Sequence, residues 1–84
     1  MTRRLWDLRA GERGRLAAFD EDLDPRYRTR LTELGFQPGA VVECMRRPAF
    51  GAPRVFRVRG AVFSLEDVLA RRVLVEPEEA AAGA

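Results

Sequence analysis

The stretch Arg30–Glu43, RLTELGFQPGAVVE, predicts that a helix ends, the chain turns and a strand begins within a few residues. Gly35 suits the left-handed position that follows a helix C-terminus. The Pro38–Gly39 pair has the signature of a type II turn. Val42 and Cys44 then occupy alternate positions, as the buried residues of a half-buried strand do. The stretch therefore specifies one corner between a helix and a sheet.

The residues before this corner predict an amphipathic helix. Asp24 is a favourable N-cap, and Pro25 is favourable in the first helical position. Tyr27, Leu31 and Leu34 follow at spacings of four and three residues, which places them on one helical face. We therefore expect a helix from Pro25 to Leu34 that packs one apolar stripe against the rest of the protein.

Alternating apolar residues between Gly- and Pro-containing turns predict short strands on both sides of this helix. The predicted strands are at about 16–19, 41–46, 54–59, 61–64 and 72–76. The segment 64–72, SLEDVLARR, predicts a single helical turn before the last strand, with Ser64 as its N-cap.

Short strands around one core favour a small barrel, because closure removes exposed strand edges. We therefore expect a mainly β fold over residues 1–76. It is a barrel of about five strands, with a short amphipathic helix inserted after the first strand and a helical turn before the last. The end of the chain, PEEAAAGA at 77–84, has little to bury and is predicted to be a disordered tail.

The charge of the chain is concentrated in its second half. Residues 44–72 hold seven arginines against Glu66 and Asp67, a net charge of +5, although the whole chain carries only +2. All 15 basic residues are arginine, and Lys, Asn and Ile are absent. A GC-rich bacterial genome explains this bias more simply than selection for nucleic-acid binding. Because residues 44–72 are basic, a barrel that binds nucleic acid nevertheless remains an alternative.

Several function classes are disfavoured by the composition. No apolar run is long enough to span a membrane, and the N-terminus lacks the apolar core of a signal peptide, so we expect a cytoplasmic protein without membrane insertion. The chain has no histidine, and its single cysteine, Cys44, is predicted to be a core residue. We therefore expect neither catalysis nor a resident cofactor or metal. The carboxylates of segment 20–24 do not form a calcium loop, because Pro25 occupies the position that requires glycine.

The loop Arg46–Pro53, RRPAFGAP, has the composition of a protein-docking site. Phe50 lies at a Gly- and Pro-rich tip, and phenylalanine and arginine are favoured at interfaces. The alternative is that Phe50 folds back as a lid on the barrel. Nucleic-acid binding is less favoured, because the other phenylalanines of this half are predicted to face inward, which leaves Phe50 and Trp6 for base stacking.

Four segments together resemble the ferrous iron transport protein A (FeoA) family. They are L-x-x-L-x-x-G-x-x-G-R-L at 5–16, RLTELGFQPG at 30–39, RRPAFGAPRVFRVRG at 46–60 and S-L-x-x-x-L-A-x-x-V-L-V at 64–75. The resemblance spans residues 5–76. It implies an SH3-like barrel without catalytic activity. It further implies a small cytoplasmic accessory that docks on the cytosolic GTPase region of the FeoB ferrous-iron permease and modulates transport.

The residues that we expect to meet such a partner lie on the helix, at its exit and around the loop. They are Tyr27, Phe36, Arg46, Arg47, Phe50 and Arg54. Phe36 is also placed to turn back onto the core. The resemblance supplies no iron-ligand motif, so direct Fe(II) contact is expected to be weak or transient. A transition-metal-binding regulatory module remains a further alternative, and weak self-association through an exposed barrel edge is left open.

Overall fold

The computed structural model describes residues 2–78. In this part of the chain the mainly β prediction is confirmed. The elements are β1 (Arg3–Arg4), a 3-10 turn (Leu5–Asp7), β2 (Arg13–Phe19), α1 (Pro25–Leu34), β3 (Val41–Arg46), β4 (Arg54–Val58), β5 (Ala61–Leu65), α2 (Asp67–Ala70) and β6 (Val73–Pro77). The short strand β1 was not predicted, because two residues carry no recognisable alternation.

The six strands of this region form one antiparallel sheet in the order β1-β6-β2-β3-β4-β5. The hydrogen-bonded order leaves β1 and β5 at the edges. The register shifts in β2 between Leu16 and Ala18 and in β3 between Cys44 and Arg46. Such bulges bend strands and increase their twist, which allows a short sheet to curve around a core.

One cluster of buried side chains fills the interior. It takes residues from the sheet, from both helices and from the 3-10 turn, with Phe36 and Phe56 the largest fully buried members. Phe36 packs against Phe63 of β5, with ring centroids 5.8 Å apart and the planes tilted by 56°. The phenylalanine that follows the helix thereby links the corner to the far edge of the sheet.

Both predicted ends of α1 are confirmed. The Asp24 carboxylate accepts a hydrogen bond from the backbone N–H of Arg26 at 2.8 Å. Gly35 has φ 112°, a left-handed conformation that glycine adopts at low cost. Beyond it, the Phe36 N–H donates to the carbonyl of Leu31 at 2.9 Å, so the chain reverses and directs Phe36 inward.

The predicted turn after the helix is also confirmed, and it is fixed to β2. The Ala40 N–H donates to the Gln37 carbonyl at 2.9 Å, and Gly39 between them has φ 92°. Gly39 donates to the Leu16 carbonyl at 2.7 Å, while the Leu16 N–H donates to Ala40 at 2.8 Å. These two bonds hold the corner against the middle of β2.

Three details of the prediction are wrong. Strand β4 ends at Val58, because Arg59 and Gly60 both have positive φ, 52° and 80°, and form a two-residue hairpin turn. Ser64 lies within β5, and the N-cap of α2 is Glu66. The first residues of the predicted tail are placed, since Pro77 pairs with Gly14 and Glu78 forms an ion pair with Arg15 at 2.9 Å. The rest of that tail, 79–84, lies outside the described residues.

In residues 2–78, no helix combines the length and the apolar character needed to cross a membrane.

We predict that Gly14→Ala destabilises the protein by about 1–3 kcal/mol, because overpacking forces backbone shifts. An added Cβ at Gly14 would lie 2.9 Å from Cβ of Val75 on the neighbouring strand. The free energy of unfolding, measured in urea, tests this. Ala17→Ser, an exposed change on the same strand, should stay within about 0.5 kcal/mol of the wild type. Equal stabilities of the two variants would contradict the close packing at Gly14.

We also predict a pH dependence that involves Glu12. Its carboxylate accepts hydrogen bonds from Arg3 Nη1 at 2.7 Å and from the Arg9 N–H at 2.8 Å, and these bonds, that to Arg3 first, hold its pKa below the ordinary value of 4.5. A depressed pKa stabilises the fold above pH 4.5, and the stabilisation is lost as the pH falls through the folded-state pKa. Glu12→Gln should therefore reduce the loss of unfolding free energy below this pH.

The measurement is urea unfolding between neutral pH and about pH 3, a range that spans the carboxylate titration. Glu33→Gln on the exposed side of α1 is the matched control. Equal acid sensitivity in the wild type and in Glu12→Gln would show that this carboxylate contributes nothing to the pH dependence.

Candidate docking site

The loop 47–53 between β3 and β4 holds its aromatic residue in a strained backbone conformation. Phe50 and Gly51 have φ 62° and 72°, and the Ala52 N–H donates to the Ala49 carbonyl at 3.4 Å across this turn. Gly51 adopts a left-handed conformation readily, whereas a phenylalanine there is an outlier whose cost is about 1–2 kcal/mol. Strain of this kind is found where a site needs an unusual geometry.

The ring of Phe50 is fully exposed, with a relative accessibility of 105%. The alternative in which it folds back as a lid is therefore wrong. The other exposed large apolar residues have relative accessibilities between 48% and 63%; they are Tyr27, Val62 and Val68. Phe50 is thus the large apolar side chain with the least contact to the described part of the chain.

Arg54, at the base of the loop, is held against Trp6. Its guanidinium carbon lies 3.7 Å from the centroid of the indole ring, and its Nη1 donates to the Trp6 carbonyl. Arg71, just after α2, approaches the same ring at 5.3 Å. Cation–π contacts of this kind contribute about 0.5–2 kcal/mol. Arg54 was predicted as an exposed partner contact, but in the structure it is half-buried and braces the 3-10 turn.

The arginines at the base of the loop have no neighbouring carboxylate to balance their charge in the described residues. Within residues 2–78, no carboxylate oxygen lies within 4.0 Å of Arg46, Arg47 or Arg54. Burial, together with the positive charges of Arg47 and Arg71, lowers the pKa of Arg54, and its Nε is buried with no hydrogen-bond acceptor. The loop therefore combines an exposed aromatic tip with an unneutralised cationic base.

Two predicted partner contacts lie elsewhere. Phe36 has no exposed surface, so it serves the core and cannot meet a partner. Tyr27 is half-exposed on α1 and borders two clefts, one towards Val68 of α2 and one towards Phe63 of β5. Trp6, which we expected to be available for base stacking, is only 5% exposed. Arg46, Arg47 and Phe50 therefore lie at the end of β3 and in the following loop, whereas Tyr27 lies on α1.

The described residues show no cluster of three or more Cys, His, Asp or Glu side chains that could hold a metal. Cys44 is buried, and burial raises the pKa of its thiol. The absence of a resident metal stays a prediction from the composition.

We predict that Phe50→Asn stabilises the isolated protein by about 1 kcal/mol, because asparagine adopts a left-handed backbone more readily than phenylalanine. Phe50→Ala is the matched control, since alanine removes the ring but retains the strain, and its stability should stay within about 0.5 kcal/mol of the wild type. Urea unfolding measures both. A loss of stability in both variants would indicate that the ring packs against the protein.

The comparisons with known proteins agree with this architecture. No curated protein sequence matches the chain. A crystal structure of the FeoA iron uptake regulatory protein superposes with a TM-score of 0.78 at 26% identity, covering 93% of this chain and 99% of that one. The FeoA protein of Chlorobium tepidum has a TM-score of 0.84 at 25% identity and covers 92% of this chain and 71% of that one.

A third similar structure is the FeoA protein of Stenotrophomonas maltophilia, an SH3-domain protein crystallised with zinc. It has a TM-score of 0.75 at 29% identity, covering 90% of this chain and 89% of that one. The SH3-like fold is therefore confirmed. The sequence model of the FeoA domain family matches residues 3–77, nearly the whole chain. The chain therefore belongs to the FeoA family, which implies a role in ferrous iron transport.

Proposed function

We propose that this protein is a small cytoplasmic accessory of ferrous iron uptake. It docks through the loop 47–53 on the cytosolic GTPase region of a FeoB-type permease and modulates transport. Family membership supports the role in iron transport. The observation that carries the docking site is Phe50, whose fully exposed ring sits on a left-handed backbone.

Phe50 destabilises the isolated protein and becomes favourable only when a partner covers it. An exposed phenylalanine gains no burial free energy, and its backbone adds strain. Insertion into a partner's pocket would bury the ring, and aromatic anchors of this kind dominate the energetics of many interfaces. Arg46 and Arg47, exposed beside the same loop, would add charged contacts at the rim of the interface.

In this proposal the protein performs no chemistry and holds no resident metal or cofactor. Ferrous iron is the cargo of the permease, and any contact of Fe(II) with this chain is weak and transient. Activity therefore depends on a surface rather than on a catalytic group. Self-association is weak and uses an edge strand of the sheet, where β5 leaves one side unpaired within the described region.

Nucleic-acid binding is the second candidate. The observation that favours it concerns the arginines in and beside the loop. Arg46, Arg47 and Arg54 have no carboxylate partner in residues 2–78. Such binding would be tightest at low salt and would weaken steeply as salt rises, because phosphate contacts release counterions.

We predict that the purified protein binds the cytosolic GTPase domain of the permease from the same genome and that Phe50→Ala weakens this binding by about 10–100-fold, as expected for an aromatic anchor. Arg47→Glu should also weaken it. Calorimetric titration at two salt concentrations measures the affinities, with single-stranded DNA as a parallel ligand. Val62→Ala, an exposed change on the edge strand β5, is the matched control and should leave binding unchanged.

Saturable binding to the domain, with the expected loss in Phe50→Ala, would support the docking proposal. Equal affinities of the wild type and both loop variants would refute this site. Binding to DNA alone, weakening with salt, would refute the choice of partner and favour the nucleic-acid candidate.

A further inference from the structure

Two arginines, Arg54 and Arg71, lie over the Trp6 ring from parts of the chain that are distant in sequence, and a third, Arg47, lies near Arg54. We call Trp6, Arg47, Arg54 and Arg71 the Trp6 cluster. Arg54 lies 3.7 Å and Arg71 5.3 Å from the centroid of the indole ring. Arg47 adjoins the same loop base and is close enough to act electrostatically on Arg54. Like charges from the start of β4 and the end of α2 are thus brought together beside the indole ring of the 3-10 turn.

The charges of the cluster are poorly compensated. In residues 2–78, Arg47 and Arg54 have no ion pair, and Arg71 has only a 3.6 Å contact with Asp67 in which both side chains are about half exposed. Asp7 attracts Arg54, but from beyond ion-pair distance. Burial makes the charge of Arg54 costly, and its neighbours repel it. An anion at this face would relieve the repulsion.

We infer that the Trp6 cluster is a receptor for the carboxylates of an acidic segment on a protein partner. Arg47 and Arg71 are exposed residues and would contact the carboxylates directly. Arg54 stays against the indole ring, where it adds positive potential and holds Trp6 in place. Arginine suits this task, because its planar group pairs with a carboxylate through two parallel hydrogen bonds.

The surroundings favour an acidic protein segment over a nucleic acid. Asp7 acts electrostatically on Arg54 from the 3-10 turn, and Asp67 of α2 lies 3.6 Å from Arg71. A long polyphosphate chain across this face would be repelled by both carboxylates, whereas a short acidic segment needs to reach only the arginines. The adjoining loop offers Phe50, an apolar contact that a folded protein partner would cover.

This inference rests on the proposed function in one respect, since it assigns the chemistry that a partner presents beside the loop 47–53. The only tryptophan of the chain is Trp6, so its fluorescence reports on the cluster itself. A change in the position of Arg71 over the ring would alter that signal.

The test is a titration of the full-length protein with a short capped polyglutamate peptide, followed by Trp6 fluorescence and by calorimetry at low salt. A polyglutamine peptide of equal length controls for the backbone, and an oligothymidylate of equal charge presents phosphates. Saturation by polyglutamate is expected below about 1 mM. Arg47→Gln and Arg71→Gln should each weaken it by about tenfold, as for the loss of a charge-assisted hydrogen bond.

The matched control is Arg28→Gln, which removes an exposed charge on α1 away from the cluster. Its affinity for polyglutamate should stay within about twofold of the wild type, because exposed charges at a distance are screened. No saturable binding of polyglutamate, or an equal loss in Arg28→Gln, would overturn the inference. Tighter, cluster-dependent binding of the oligothymidylate would also overturn it and would assign the face to phosphates.

The same variants, titrated with the permease domain, separate this inference from the proposed function. If the domain binds and only Phe50→Ala weakens the complex, the carboxylate receptor is refuted and the docking proposal holds. If polyglutamate binds at the cluster but the domain does not bind, the proposed partner is refuted and the carboxylate receptor holds.

Discussion

The burial of Phe36 directly after Gly35 is the constraint on which the rest of the structure depends. The left-handed glycine reverses the chain, so the next residue enters the core instead of extending the helix. Phe36 then packs on Phe63 of the edge strand β5, while the following turn is hydrogen-bonded to Leu16 of β2. One corner thereby ties the helix both to the edge strand β5 and to the interior strand β2. In a chain of 84 residues, which has room for a single small core, few other contacts can do this.

The corner at Gly35 is held by several contacts, and this allows the loop 47–53 to carry backbone strain. Among the described residues, five glycines adopt left-handed conformations at turns, but the loop 47–53 also places Phe50 in such a conformation without burying the ring. The cost is local, because the strands on either side of the loop are paired along β3 and β4. A protein tolerates a destabilising exposed feature only where the rest of the fold keeps its stability above the threshold for folding. In the docking proposal, the cost of this strain is offset when a partner covers the ring.

The surface beside this loop is shaped by electrostatics as much as by its apolar tip. Several arginines on the sheet form ion pairs, as Arg3 does with Glu12 and Arg4 with Asp20. Around Trp6 the pairing is incomplete, and the indole ring supplies the compensation that carboxylates provide elsewhere. The Trp6 cluster thus differs from the ion-paired parts of the sheet, and it is the face that we infer to bind carboxylates.

The sequence by itself determined the helix from Pro25 to Leu34, both of its caps, the turn at Gly39 and most of the strands, because caps, turns and alternation are local signals. It did not determine which phenylalanine would be exposed: Phe36 and Phe50 both adjoin a glycine, yet one is buried and the other fully exposed. Nor did it indicate the meeting of Trp6, Arg54 and Arg71. Only the tertiary structure decided these points, because burial and charge pairing depend on which distant segments the sheet brings together.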